Sequence, residues 1–117
     1  MIAIPVKERG EEPIVSEVFA MSKWFLIIDE DIVTFEKNIY KSGVEVILWL
    51  QQMGIKQIVA HKMGSTTYEK LKALDILCLY TNMEVKVTDI MEQVKNSQLS
   101  RLNEQTSVFQ KSCITNP

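Results

Sequence analysis

Two apolar runs, IKQIVA at 55–60 and ILCLYT at 76–81, stand only fifteen residues apart, and a helical pattern fills the space between them. No other feature limits the fold as strongly. Strands joined through a helix by tight links pair in parallel, through a right-handed crossover. The intervening TYEKLKALD turns Leu71 and Leu74 inward, and Thr66 and Glu69 have the spacing of a capping box. The segment before 55 repeats the unit. Ser42 and Glu45 again have capping-box spacing, Val44, Ile47, Leu48 and Leu50 fall near one face, and Gly54 is placed to end the helix. Trp49 falls outside this pattern and is assigned to the sheet margin or to an interface. After 81, Asp89 and Glu92 can cap and open a last helix with Ile90, Met91 and Val94 on its apolar face, extended by Leu99 and Leu102.

The first third of the chain has a different period. MIAIPV is a short apolar run with Pro5 near its end, and KERGEEP at 7–13 is a charged loop. WFLIID reads as a buried strand, Glu30 and Asp31 as a turn, and IVTFEKN as the antiparallel hairpin partner. The order is strand, two hairpin strands, helix, strand, helix, strand, helix. This predicts a three-layer α/β domain with a five-stranded mixed sheet, one antiparallel hairpin and three helices. The domain spans 1–103. The Gln-, Ser- and Thr-rich residues 104–117 are expected to form a flexible C-terminal tail.

A chain of 117 residues supports one real core, and 46% hydrophobic with 24% charged residues is ordinary globular composition. A net charge of −2 gives no sign of a nucleic-acid binder. No apolar run reaches the roughly 20 residues that span a bilayer, and the opening residues show no basic n-region followed by an apolar h-region, so neither secretion nor a membrane partner is expected. With the net charge, nucleic acid is not expected either. Cys78 and Cys113 make no disulfide framework, which fits a reducing cytoplasm.

Three segments carry a resemblance: IAIPV at the start, IVSEVFAMSKWFLIID after the charged loop, and IVAHKMGSTTYEKL in the middle. Together with the element order, residues 1–100 resemble the dinitrogenase iron-molybdenum cofactor biosynthesis family, which includes NifX- and NafY-like proteins and the C-terminal part of NifB. The stretch Val-Ser-Glu-x-Phe at 15–19 is its most specific part. The resemblance implies an RNase H-like α/β fold with sheet order 3-2-1-4-5 and binding of iron–sulfur–molybdenum cluster precursors. The chain departs from the family at two places. Where the family loop reads Val-Ser-x-His-Phe-Gly, its favoured cluster ligand is Val18 here, and its glycine is Ala20. Where the family has Gly-Gly-x-Gly after the central strand, this chain has His61-Lys62-Met63-Gly64.

The implied sheet order makes the first strand and the strand at 55–60 parallel neighbours, so loops 7–23 and 61–65 are expected to face each other across a crevice. His61 then stands opposite Ser16 and Val18, either as a ligand from the other wall or as a plain loop histidine. Gly64, Ser65 and Thr66 open a helix beside Lys62 and can attract an anion, or simply cap the helix. Ser16 and Glu17 can hydrogen-bond a ligand. Met21 and Met63 are soft donors or gap fillers, Cys78 is a core residue or a thiolate, and Cys113 has nothing nearby to fix it. IAIPV and IKQIVA carry no acid, against a two-metal nuclease, and the single histidine has no assignable triad partner.

The expected function is a non-catalytic binding or carrier protein for an iron–sulfur or iron–molybdenum cluster or its precursor. Its partners would be that cargo or a cluster-assembly protein. Two alternatives stay open: a small-anion or nucleotide-binding regulatory module, and a homodimeric interaction domain using Trp24, Trp49 and residues 99–114.

Overall fold

Alternation explains why the strands read as unbroken apolar runs. Ala3, Phe25, Ile27, Ile58 and Cys78 are buried in one cluster, while Ile4, Leu26, Ile28, Val59 and Leu79 are buried in another. Successive side chains thus serve opposite faces of one sheet, and both faces are covered. The computed structural model describes residues 1–83, 85–102 and 108–109. Its strands are β1 (Ile2–Val6), β2 (Trp24–Asp29), β3 (Ile32–Lys37), β4 (Gln57–Ala60), β5 (Met63–Gly64), β6 (Leu77–Tyr80) and β7 (Val108–Phe109). The helices are α1 (Gly43–Met53), α2 (Ser65–Ala73) and α3 (Val87–Lys95).

The sheet order is β3-β2-β1-β4-β6. Counted over these five strands alone it is the expected 3-2-1-4-5. The pairs β1·β2 and β2·β3 are antiparallel, and β1·β4 and β4·β6 are parallel. Val46, Ile47 and Leu50 of α1 and Leu71 of α2 cover the first face; Val87 and Ile90 of α3 cover the second. Trp49 packs at the sheet margin, edge-on to Phe25 at 5.8 Å and against Tyr40 at 5.5 Å. Among the described residues, no helix is long and apolar enough to cross a membrane.

The three helices begin differently. Ser42 caps α1 as expected: its Oγ accepts from the Glu45 N–H at 3.2 Å and donates to Glu45 Oε1 at 3.0 Å. Gly54 closes that helix at φ +90°, where its N–H reaches the Leu50 and Gln51 carbonyls and a side chain would be strained. The capping expected at Thr66 and Asp89 does not occur. Helix α2 starts at Ser65 after Gly64, α3 starts at Val87 after Lys86, and neither has a side-chain cap. Helix α3 also stops at Lys95, short of Leu99 and Leu102. Residues 100–102 instead run along β6: the Tyr80 N–H donates to the Ser100 carbonyl at 2.7 Å, and the Leu102 N–H to the Cys78 carbonyl at 3.1 Å. Of the expected tail, only Val108 and Phe109 are described, paired in parallel with Met63 and Gly64. Cys113 lies outside the described residues.

Ser42→Ala is expected to lower the unfolding free energy by about 1 kcal/mol, measured by urea denaturation with an unchanged m-value.

Candidate functional site

Pro5 decides the geometry at the C-terminal end of β1. Alternate residues of β1 point their main-chain groups toward β4, and Pro5 is one of them but has no N–H. The ladder to β4 accordingly covers only Ile2 and Ala3. Beyond it, a different segment takes β1's free side. The Ser16 N–H donates to the Pro5 carbonyl at 2.9 Å, the Lys7 N–H donates to the Ile14 carbonyl at 2.8 Å, and Val15 bridges Val6. The inserted chain then crosses to the continuation of β4: Val18 bridges Lys62, and the Phe19 N–H donates to the Lys62 carbonyl at 2.9 Å. The two expected loops do meet on one rim. They meet by direct pairing, so main chain occupies the space between them.

Below this seam the packing is tight. Phe19 is fully buried and sits edge-on to Phe25 at 5.3 Å. Ser16 is buried too, with its Oγ 2.8 Å from Ser22 Oγ. Ser22 Oγ has one proton and two carbonyls, Val6 and Trp24, each at 2.7 Å, so it donates to them and accepts from Ser16. Ser16 therefore holds the loop in place from inside rather than lining an open surface. Asn38 completes the support: Nδ2 donates to the Ser22 carbonyl at 2.9 Å, and Oδ1 accepts the Tyr40 N–H at 2.9 Å. Sequence reasoning missed both clamps. Their only trace is a pair of serines six residues apart and a polar residue ending a strand.

Above the seam lies the rim itself. Val18, His61, Lys62, Gly64 and Ser65 are half-buried, Thr66 and Glu17 are exposed, and Met21 is 81% exposed on a 3₁₀ turn (Phe19–Met21). Met63 points the other way and is fully buried in the core. The first turns of α1 and α2 converge here. A Cβ built on Gly43 would lie 2.7 Å from Thr67 Oγ1 and 3.7 Å from Ala20 Cβ. His61 leans toward β6, away from Val18: its Nδ1 is 3.0 Å from the Thr81 carbonyl and its ring centroid is 5.6 Å from that of Tyr80. A carbonyl only accepts, so Nδ1 carries a proton, and in the neutral ring the lone pair is on Nε2. The structure thus gathers His61, Lys62, Gly64, Ser65 and Thr66 on the rim and places Ser16 beneath it.

Cys78 is remote from this rim, buried in β6, where desolvation pushes its thiol up from 9.0 to about 12. It remains a neutral thiol at physiological pH and makes no soft thiolate. Among the described residues, no group of three or more His, Cys, Asp or Glu side chains is placed to hold a metal ion.

A sequence model of the family described as dinitrogenase iron-molybdenum cofactor matches residues 1–97. Among solved structures, the chain is similar to a candidate NifB protein from Thermotoga, at 23% identity and a TM-score of 0.74 over 86% of this chain and 91% of that one. It is similar to the apo form of the orange protein from Desulfovibrio gigas, at 15% identity and a TM-score of 0.76 over 86% and 91%. A candidate dinitrogenase from Methanocaldococcus jannaschii shares 20% identity, with a TM-score of 0.61 over 87% and 93%. At such identities the likeness carries the fold alone. No curated protein sequence matches the chain.

The contact between helix starts predicts that Gly43→Ala costs about 1 kcal/mol more in the wild-type chain than in a Thr67→Ala background, measured as a double-mutant cycle. In a Cys113→Ser background, Cys78 should resist thiol reagents until the protein unfolds. Because its folded pKa lies above the unfolded 9.0, its contribution to stability is complete below pH 9 and is lost as pH rises toward 12. Cys78→Ala should remove that part of the alkaline decline in denaturation curves.

Proposed function

The chain belongs to the dinitrogenase iron-molybdenum cofactor family, and we propose that it is a non-catalytic carrier for an iron–sulfur or iron–molybdenum cluster, or a precursor of one, seated on the rim at His61. The orientation of that histidine carries the reading. Metal-binding imidazoles commonly donate the other ring N–H to a carbonyl or carboxylate, which fixes the tautomer and raises the basicity of the free nitrogen. His61 has this arrangement, with Nδ1 committed to the Thr81 carbonyl and the ring held beside Tyr80. It stands one residue from the position that pairs with Val18, the site where the family loop carries its histidine.

The donor set favours one form of cargo over another. A bare metal ion needs three or four protein ligands, and the described residues present no such group. A preassembled cluster brings its own bridging sulfides and, where it also carries ligands on its other terminal positions, asks fewer donors of the protein than a bare ion does. Electrostatics supports an anionic cargo. Helix α2 begins at the rim beside Lys62, where its N-cap residue Gly64 makes no side-chain cap hydrogen bond, and the helix dipole places positive partial charge there. Handing such a cargo to a cluster-assembly protein would be the role of the carrier.

The same helix start at 64–66 favours one further reading, a module for a small anion or nucleotide. Anaerobic reconstitution with iron and sulfide separates the two. The carrier reading expects a charge-transfer absorption that survives desalting and is lost in His61→Ala. Absence of retained metal, together with a rise in melting temperature on adding phosphates or nucleotides, would instead select the anion module.

A further inference from the structure

The two edges of the sheet are finished differently. Residues 100–102 run antiparallel to β6 and take up its outer main-chain groups, with Arg101 bridging Leu79. No described segment pairs with the outer side of β3. The register identifies which groups are left open there. A two-residue turn makes Asp29 and Ile32 the closing pair of the hairpin, so Ile32, Thr34 and Glu36 direct their main-chain bonds to β2. The Asn38 N–H donating to the Lys23 carbonyl at 2.8 Å continues the same parity. Val33, Phe35 and Lys37 therefore point their N–H and C=O groups outward.

This edge lacks two of the usual protections, although the charged Glu36 and Lys37 stand on it. Its pairing with β2 runs unbroken over all six residues, with no bulge and no proline. It carries β-branched residues that water reaches: Ile32 is 66% exposed and Ile39, just past the strand, 72%. Acidic residues gather at its turn end, while its other end carries Glu36 beside Lys37. Asp29, Glu30 and Asp31 sit at the turn, while Lys37 and its neighbour Lys23 sit at the opposite end.

We propose that the outer edge of β3 is a self-association surface, at which two copies of this chain pair β3 antiparallel about a two-fold axis through Thr34 or Phe35. In that arrangement the outward groups of Val33, Phe35 and Lys37 meet their counterparts, since a two-fold perpendicular to the sheet pairs residues of equal parity. Asp31 of each copy then lies beside Lys37 of the other, opposite or diagonal to it. A parallel pairing would set like charges together. The Asp31–Lys37 contact is thus available in one direction only, with Glu36 of each copy facing Ile32 or Thr34 of the other. The surface is independent of the rim and of any cargo held there.

Sedimentation equilibrium of the full chain tests this. The wild type should reach twice the chain mass within the millimolar range, and added salt should weaken it. Lys37→Glu should raise the dissociation constant roughly tenfold or more by placing it against Asp31 of the other copy. The swap Asp31→Lys with Lys37→Glu should restore it. Val33→Pro, which removes an outward N–H and none used by β2, should leave a monomer with an unchanged far-ultraviolet spectrum. A wild type that stays monomeric, a dimer indifferent to Lys37→Glu, or a loss that the swap does not repair would each overturn the proposal. The charge variants lie on exposed side chains, so the test stands even if the proline variant fails to fold.

Discussion

One missing hydrogen-bond donor organises the upper half of this protein. At Pro5 the central strand cannot continue its ladder to β4, yet a buried main-chain carbonyl left unpaired costs about 1–3 kcal/mol. Residues 14–16 resolve this by entering beside β1 and donating to the Pro5 carbonyl. From there the chain continues across the rim to Lys62. The position of Val18, the burial of Phe19 and the serine pair beneath them all follow from that insertion.

Much of the architecture was legible because two periodicities suffice to write it. The period-two alternation of β2 and β4, with both faces apolar, marks strands covered on both sides, and the spacing of 55–60 and 76–81 dictates a crossover. Ser42, Glu45 and Gly54 announce α1 because a cap is a local event among residues near in sequence. The failures are equally physical. Thr66 and Asp89 have the residue types of caps, but helix starts are also set by where the preceding strand releases the chain, and tertiary packing moved both. Leu99 and Leu102 match a helical face, but the helix ends before both and residues 100–102 lie along β6, since a bare sheet edge offers main-chain partners that a short helix does not.

At the rim, sequence reasoning placed two remote segments together and misjudged how closely. A parallel-neighbour argument locates strand ends; it says nothing about a third segment filling the gap. Nor can it tell that Ser16 would face inward, since that depends on Ser22 and on two carbonyls brought together only by folding. The seat of His61 was similarly hidden, because its partner is a backbone carbonyl twenty residues away and carries no signature in residue type.

If the rim carries the cargo proposed above, the closed seam between Val18 and Lys62 bears on its traffic. A guest enclosed in a cavity leaves only when its host opens, and the host then sets the pace. A guest resting on a stitched outer surface stays within reach of a receiving protein throughout, so transfer can proceed by direct exchange of ligands with the scaffold at rest. Such a holder trades residence time for ease of delivery.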